Sequence, residues 1–114
     1  MKGIHVTARG AIHKGKLEEF KTLAAGCMRT VREKDSGTLQ YDWFLNQAQT
    51  ECVVRETYRD SEAVLEHIAN LGATLGAILS VCDWTFEVLG SPSPELVKAT
   101  TGLSLKLYSP FQGM

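Results

Sequence analysis

The feature that most constrains this chain is the order in which its hydrophobic period changes: two, then 3.6, then two twice more, then 3.6, then two again. Ile4, Val6 and Ala8 alternate with His5, Thr7 and Arg9, the pattern of a half-buried strand, and Gly10 marks its expected end. Leu17, Phe20, Ala24, Cys27, Met28 and Val31 then fall on one helical stripe, with Lys16, Glu19, Lys21 and Arg29 outside it. Two strand-like segments follow a polar cluster that ends at Gly37. In the first, Leu39, Tyr41, Trp43 and Leu45 oppose Gln40, Asp42, Phe44 and Asn46. In the second, Cys52, Val54, Glu56 and Tyr58 oppose Val53, Arg55 and Thr57. The polar stretch from Asn46 to Thr50 reads as a hairpin connection.

Asp60 or Ser61 can cap a second helix, along which Val64, Ile68, Leu71, Leu75 and Leu79 recur at spacings of three and four. Gly72 and Gly76 weaken its middle, so a break into two packed pieces is expected. Trp84, Phe86 and Val88 make a further strand. A turn-rich linker from Gly90 to Pro94, a short helix from Glu95 to Thr101 and a fifth strand at Leu103, Leu105, Leu107 and Tyr108 complete the chain.

The order β-α-β-β-α-β defines an α+β fold of the ferredoxin-like, split βαβ kind, with an antiparallel sheet that packs two helices on one face. The opposite face is expected to carry Tyr41, Trp84 and either Trp43 or Phe44, more apolar area than water tolerates. Two copies placed sheet to sheet would cover it, giving a dimeric α+β barrel. The last strand then reads as an arm that extends the partner's sheet. One domain over residues 1–114 is expected, with a core at 1–90 and a helix-and-strand arm at 91–114.

Composition excludes several classes of function. The 114 residues carry a net charge of -1 with signs interspersed, so the basic stripe required for nucleic-acid binding is absent. Cys27, Cys52 and Cys82 have neither CxxC nor zinc-ligand spacing and read as buried free thiols in a reducing compartment, which places the protein in the cytoplasm. The N-terminal residues do not form a basic region followed by an apolar one, the mark of a secretory signal. The longest mostly apolar stretch, Leu71 to Val81, is interrupted by two glycines and is too short to cross a membrane. No metal, nucleotide or flavin motif is present.

The stretch from Val53 to His67, VVRETYRDSEAVLEH, resembles the signature of the antibiotic biosynthesis monooxygenase superfamily, in which an E-x-[WY]-x-[DS] strand end leads into a helix closing in Ala-x-x-x-His. Gly37-Thr38-Leu39-Gln40-Tyr41-Asp42 is similar to the family's Gly-Cys-x-x-Tyr strand, with Thr38 where cysteine is common. The resemblance spans about residues 1 to 90. It implies a homodimer, and enzymes that oxidise polycyclic or quinol-type aromatics with molecular oxygen, using neither flavin nor metal. The tail from Leu103 to Met114 resembles the extension of quinol monooxygenase-like members, which packs on the other subunit.

Oxygenation without a cofactor needs a cavity that binds an electron-rich aromatic molecule and takes a proton from it. His67 sits at the shoulder of the second helix's apolar stripe, about 60° from Val64, and is the natural proton acceptor. Glu56 lies among apolar neighbours on its strand and is its expected partner, as a hydrogen-bonded orienter or a purely architectural tie. Tyr41, Trp43, Asn46 and Tyr58 are candidate substrate contacts. Each has a plainer use: the aromatics as core or dimer seam, Asn46 as a turn residue. No cofactor is expected. The competing readings are a ligand-binding module of the same fold without this chemistry and, less well matched, a haem-binding protein built on an Asn, Trp and His set.

Overall fold

A computed structural model describes residues 3–114. Nine elements follow one another: β1 (Ile4–Ile12), α1 (Leu17–Lys34), β2 (Thr38–Leu45), β3 (Glu51–Tyr58), α2 (Ser61–Leu71), α3 (Ala73–Ser80), β4 (Cys82–Leu89), α4 (Pro94–Ala99) and β5 (Leu105–Tyr108). One five-stranded sheet has the order β2-β3-β1-β4-β5. The first strand is central and antiparallel to both β3 and β4, the split βαβ arrangement.

Helix ends follow their local chemistry. Asp60 caps α2 by accepting the Ala63 N–H at 2.9 Å. Ser93 caps α4 by accepting the Leu96 N–H at 3.1 Å, and Pro94 occupies the first turn, where its missing N–H costs nothing. The expected break falls at Gly72, whose φ of 53° ends α2 and starts α3. Among the described residues no single helix is long and apolar enough to cross a bilayer, and α2 and α3 together bend by 84°.

Two cross-strand rows of side chains make the sheet's inner face. Tyr41, Glu56, Val6, Val88 and Leu107 stand in one row; Trp43, Val54, Ala8, Phe86 and Leu105 stand in the next. The opposite face is largely polar, with Asp42, Arg55, Thr7, Glu87 and Lys106 in a single row. This corrects the expectation of an aromatic outer surface. Tyr41, Trp43 and Trp84 turn toward the helices, and only Phe44 of the residues considered lies outside, 55% exposed. The reason is the phase of β2: Tyr41 and Trp43 together outweigh Asp42 and Phe44 in apolar area, and the heavier phase goes to the core. The apolar-face argument for a second copy therefore loses its main residues.

Three further expectations change. Leu39, expected beside Tyr41, is 68% exposed because the β2–β3 register shifts between Thr38 and Gln40. The first strand runs on past Gly10 to Ile12. That glycine is needed for space: a Cβ there would meet the Trp84 ring at 3.0 Å and Cys52 Sγ at 3.1 Å. Finally, β5 does not leave the subunit. It pairs in parallel with β4 of its own chain, after α4 supplies the crossover that parallel neighbours require, so the sheet is mixed.

Gly37 marks where the start of β2 meets α2, for a Cβ at this position would lie 2.5 Å from the Ala63 Cβ. Gly37→Ala should destabilise the protein by about 2 kcal/mol, read as a lowered urea midpoint with an unchanged slope. An unchanged midpoint would show that α2 is not seated on this segment.

Candidate functional site

Between the inner face of the sheet and the helices lies a mainly apolar cavity of about 320 Å³. The sheet contributes Tyr41, Trp43, Glu56, Tyr58 and Trp84 to its wall, α2 contributes Val64 and His67, and residues between Leu96 and Leu107 line it as well. A volume near 300 Å³ is at the lower end of small-molecule sites and accommodates a fused-ring compound.

His67 is buried and reaches this cavity from the middle of α2. Its Nδ1 lies 2.8 Å from Asp35 Oδ2, with the two side chains 8% and 1% exposed. Asp35 caps the C-terminus of α1, and its carboxylate takes two more hydrogen bonds, from Thr38 Oγ1 at 2.7 Å and Asn70 Nδ2 at 2.8 Å. Burial works to raise its pKa, but the donors Asn70, Thr38 and His67 outweigh burial and hold Asp35 below the ordinary carboxylate value. An ionised Asp35 only accepts, so His67 Nδ1 carries the proton. Burial also pushes the His67 pKa down, and Asp35 offsets this only in part. At neutral pH the imidazole is therefore uncharged, with a lone pair on Nε2. That atom makes no hydrogen bond among the described residues.

Glu56 is the second titratable group of the cavity. It is not the partner of His67, which corrects the expected Glu56–His67 tie: Tyr58 Oη donates to Glu56 Oε1 instead. The physical reason is reach. Glu56 and Tyr58 are two residues apart on one face of β3, whereas Asp35 meets α2 directly from the end of α1. No cation pairs with Glu56 among the described residues. Burial lifts its pKa to about 7, against the lowering effect of the Tyr58 hydroxyl. Burial and the neighbouring Glu56 push Tyr58 well up, and burial beside Cys27 and Glu56 does the same to Tyr41.

Aromatic rings connect these groups. The His67 ring is 5.1 Å from that of Tyr41 and 5.3 Å from that of Tyr58, and Trp43 packs edge-on against Tyr41 and Trp84. The Trp43 indole nitrogen is buried without a hydrogen-bond partner among the described residues. Thus five of the six sequence candidates share one cavity. Asn46 does not: it is exposed in the β2–β3 hairpin, where Oδ1 accepts the N–H groups of Thr50 and Glu51 at 2.9 and 3.0 Å. The Asn, Trp and His set that haem binding would call on is thereby not assembled. No group of three metal-ligating side chains comes together among the described residues. Asp35 escaped the sequence reading because it sits in the polar cluster Asp35-Ser36-Gly37, an ordinary helix end. A usable signal lay in α2, where His67 and Asn70, three apart, form one polar side of a mostly apolar helix and call for a buried partner.

Fold and cavity define an α+β protein of the ferredoxin-like kind with an apolar cavity between its sheet and its helices. The chain belongs to the antibiotic biosynthesis monooxygenase family, whose sequence model matches residues 3–71. Among solved structures it is similar to MupZ from Pseudomonas fluorescens, with 22% identity and a TM-score of 0.78 over 100% of this chain and 94% of that one. SnoaB, a cofactor-independent oxygenase from Streptomyces nogalater, matches with 14% identity and a TM-score of 0.68 over 82% of this chain and 96% of its own. Rv0793 from Mycobacterium tuberculosis matches with 20% identity and a TM-score of 0.69 over 81% and 96%. A comparison with curated proteins gave no match.

Glu56 makes stability depend on pH in a defined direction. Its carboxyl titrates at about 4.3 when unfolded and at about 7 in the fold. The folded state therefore holds the proton over that window, and stability falls as pH rises through it. Glu56→Gln cannot ionise. Between about pH 4.5 and about pH 8, wild type should lose on the order of 3 kcal/mol relative to this variant in denaturant titrations. A difference that stays constant over the range would mean that Glu56 ionises in the fold as freely as in water.

Proposed function

We propose that this protein is a cofactor-independent monooxygenase that oxidises a small quinol-like or polycyclic aromatic compound with molecular oxygen. Family membership supports a monooxygenase-type function. The observation that carries the finer reading is a neutral His67, tied through Nδ1 to the Asp35 carboxylate, in the wall of an apolar cavity large enough for fused rings.

In the proposed reaction Nε2 of His67 removes the acidic proton, which lowers the barrier for electron transfer from the substrate to oxygen. For a methylene beside an aromatic ketone, the C–H electron pair stays behind as an enolate. One electron passes to O2, the two radicals combine into a carbon-bound peroxide, and loss of water leaves a carbonyl. The balance is CH2 plus O2 giving C=O plus H2O, so the substrate supplies every electron. Asp35 acts on His67 alone, holding its tautomer and steadying the imidazolium that forms. Tyr41, Trp43 and Tyr58 supply flat walls against which a ring can stack. We also infer a cytoplasmic homodimer, from the family resemblance and the three free buried thiols.

Oxygen uptake with hydroquinones, naphthohydroquinones and anthrones is the direct test. Wild type should consume oxygen above the autoxidation rate with at least one of them, and His67→Ala should remove most of that turnover while the fold persists. Asp35→Asn should lower kcat on the order of a thousandfold, because an amide no longer fixes the reactive tautomer. Uptake at the autoxidation rate across the panel would overturn the oxygenase reading. Unchanged turnover in His67→Ala would remove the proton acceptor from it.

A further inference from the structure

The oxygenation scheme leaves one half-buried titratable group of the cavity without a task. Among the described residues Glu56 has no cation paired with it, Tyr58 holds its Oε1, and Oε2 makes no hydrogen bond. The ring of Tyr58, which makes that bond, lies 5.3 Å from the imidazole of His67. A proton acceptor and a carboxyl thus line the same apolar cavity, each in contact with Tyr58.

We infer that the cavity also catalyses proton transfer at carbon without oxygen, on an apolar ketone with an acidic neighbouring C–H bond, with His67 as the base and Glu56 as the donor to the ketone oxygen. This rests on the same assignment of His67 as the oxygenation. His67 Nε2 takes the proton from the carbon beside the carbonyl, and the C–H electron pair moves into an enolate. Glu56, in its protonated form, hydrogen-bonds the enolate oxygen, an interaction that strengthens as charge develops there. The imidazolium returns the proton to the same carbon or, in a β,γ-unsaturated ketone, to the γ-carbon. The second outcome moves the double bond into conjugation. No electrons are gained or lost overall, so no oxidant is needed. Burial favours the neutral carboxyl that this role requires. The hydroxyl of Tyr58, bound to Oε1, leaves Oε2 to reach the ligand.

Anaerobic exchange in deuterium oxide tests this directly, using 2-tetralone, 2-indanone and 1-phenyl-2-propanone and following the benzylic protons by NMR. Wild type should accelerate exchange about a hundredfold over buffer for at least one ketone. His67→Ala and His67→Gln should return it to the buffer rate. Glu56→Leu, which keeps bulk and removes the donor, should lower it at least about tenfold. Exchange at the buffer rate with all three ketones overturns the inference, as does wild-type exchange in folded Glu56→Leu. The oxygenase reading fails separately: rapid anaerobic exchange without oxygen uptake in air supports proton transfer alone, and oxygen uptake without exchange of any ketone leaves oxygenation and sinks this inference.

Discussion

The buried carboxylate of Asp35 is the interaction on which the site depends. Its side chain is only 1% exposed, no Lys or Arg pairs with it among the described residues, and its charge is held by three donors from two elements: Thr38 at the start of β2, and His67 and Asn70 on α2. A buried carboxylate is tolerated only when its oxygens are satisfied in this way. Because Asp35 is also the C-cap of α1, the cluster ties the end of one helix to the middle of the next and to the adjoining strand. Ser36 reinforces the joint from the surface through two hydrogen bonds to Glu66 Oε1, at 2.9 Å from its amide and 3.0 Å from its hydroxyl. One tie therefore serves packing and chemistry together. It seats α2 and it leaves a neutral imidazole with a single free nitrogen.

The cavity itself is a product of sheet geometry. Cross-strand rows put large rings on β2 and β4 and small residues, Ala8 and Gly10, on the central strand between them. The Trp84 ring lies over Gly10 and meets Trp43 edge-on, and both rings line the cavity together with Leu75, Ile78 and Leu79 of α3. A polar residue in the first row, Glu56, would ordinarily weaken such a wall. Here desolvation raises its pKa to about 7, so the carboxyl holds its proton through acidic pH and up to near neutrality.

Much of this architecture is legible in the sequence. Period changes located the strands and helices, the Asp60 cap and the Gly72 break, because those features are set by neighbours along the chain. Placement relative to the rest of the fold was harder. The phase of β2 decides whether Trp43 or Phe44 meets the helices, and alternation alone leaves that open; the bulge after Thr38 obscures it further at Leu39. The destination of β5 was misread because a four-residue strand carries no mark of its partner, and a strand of the same subunit accepts it as readily as one from another. In the site, the five cavity residues were recognisable as aromatic or titratable side chains on apolar faces. Asp35 was not, since the contact that matters joins positions 32 apart through tertiary packing.

The central claim concerns one proton: it sits on Nδ1 of His67, between the ring and Asp35, and Nε2 is bare at neutral pH. Nitrogen-15 NMR of histidine-labelled protein at pH 7 measures this, since the protonated and unprotonated ring nitrogens resonate far apart. The account requires a pyrrole-type signal from Nδ1 and a pyridine-type signal from Nε2 of His67, with both lost or averaged in Asp35→Asn. A proton on Nε2, or an imidazolium with both nitrogens protonated at that pH, would contradict it.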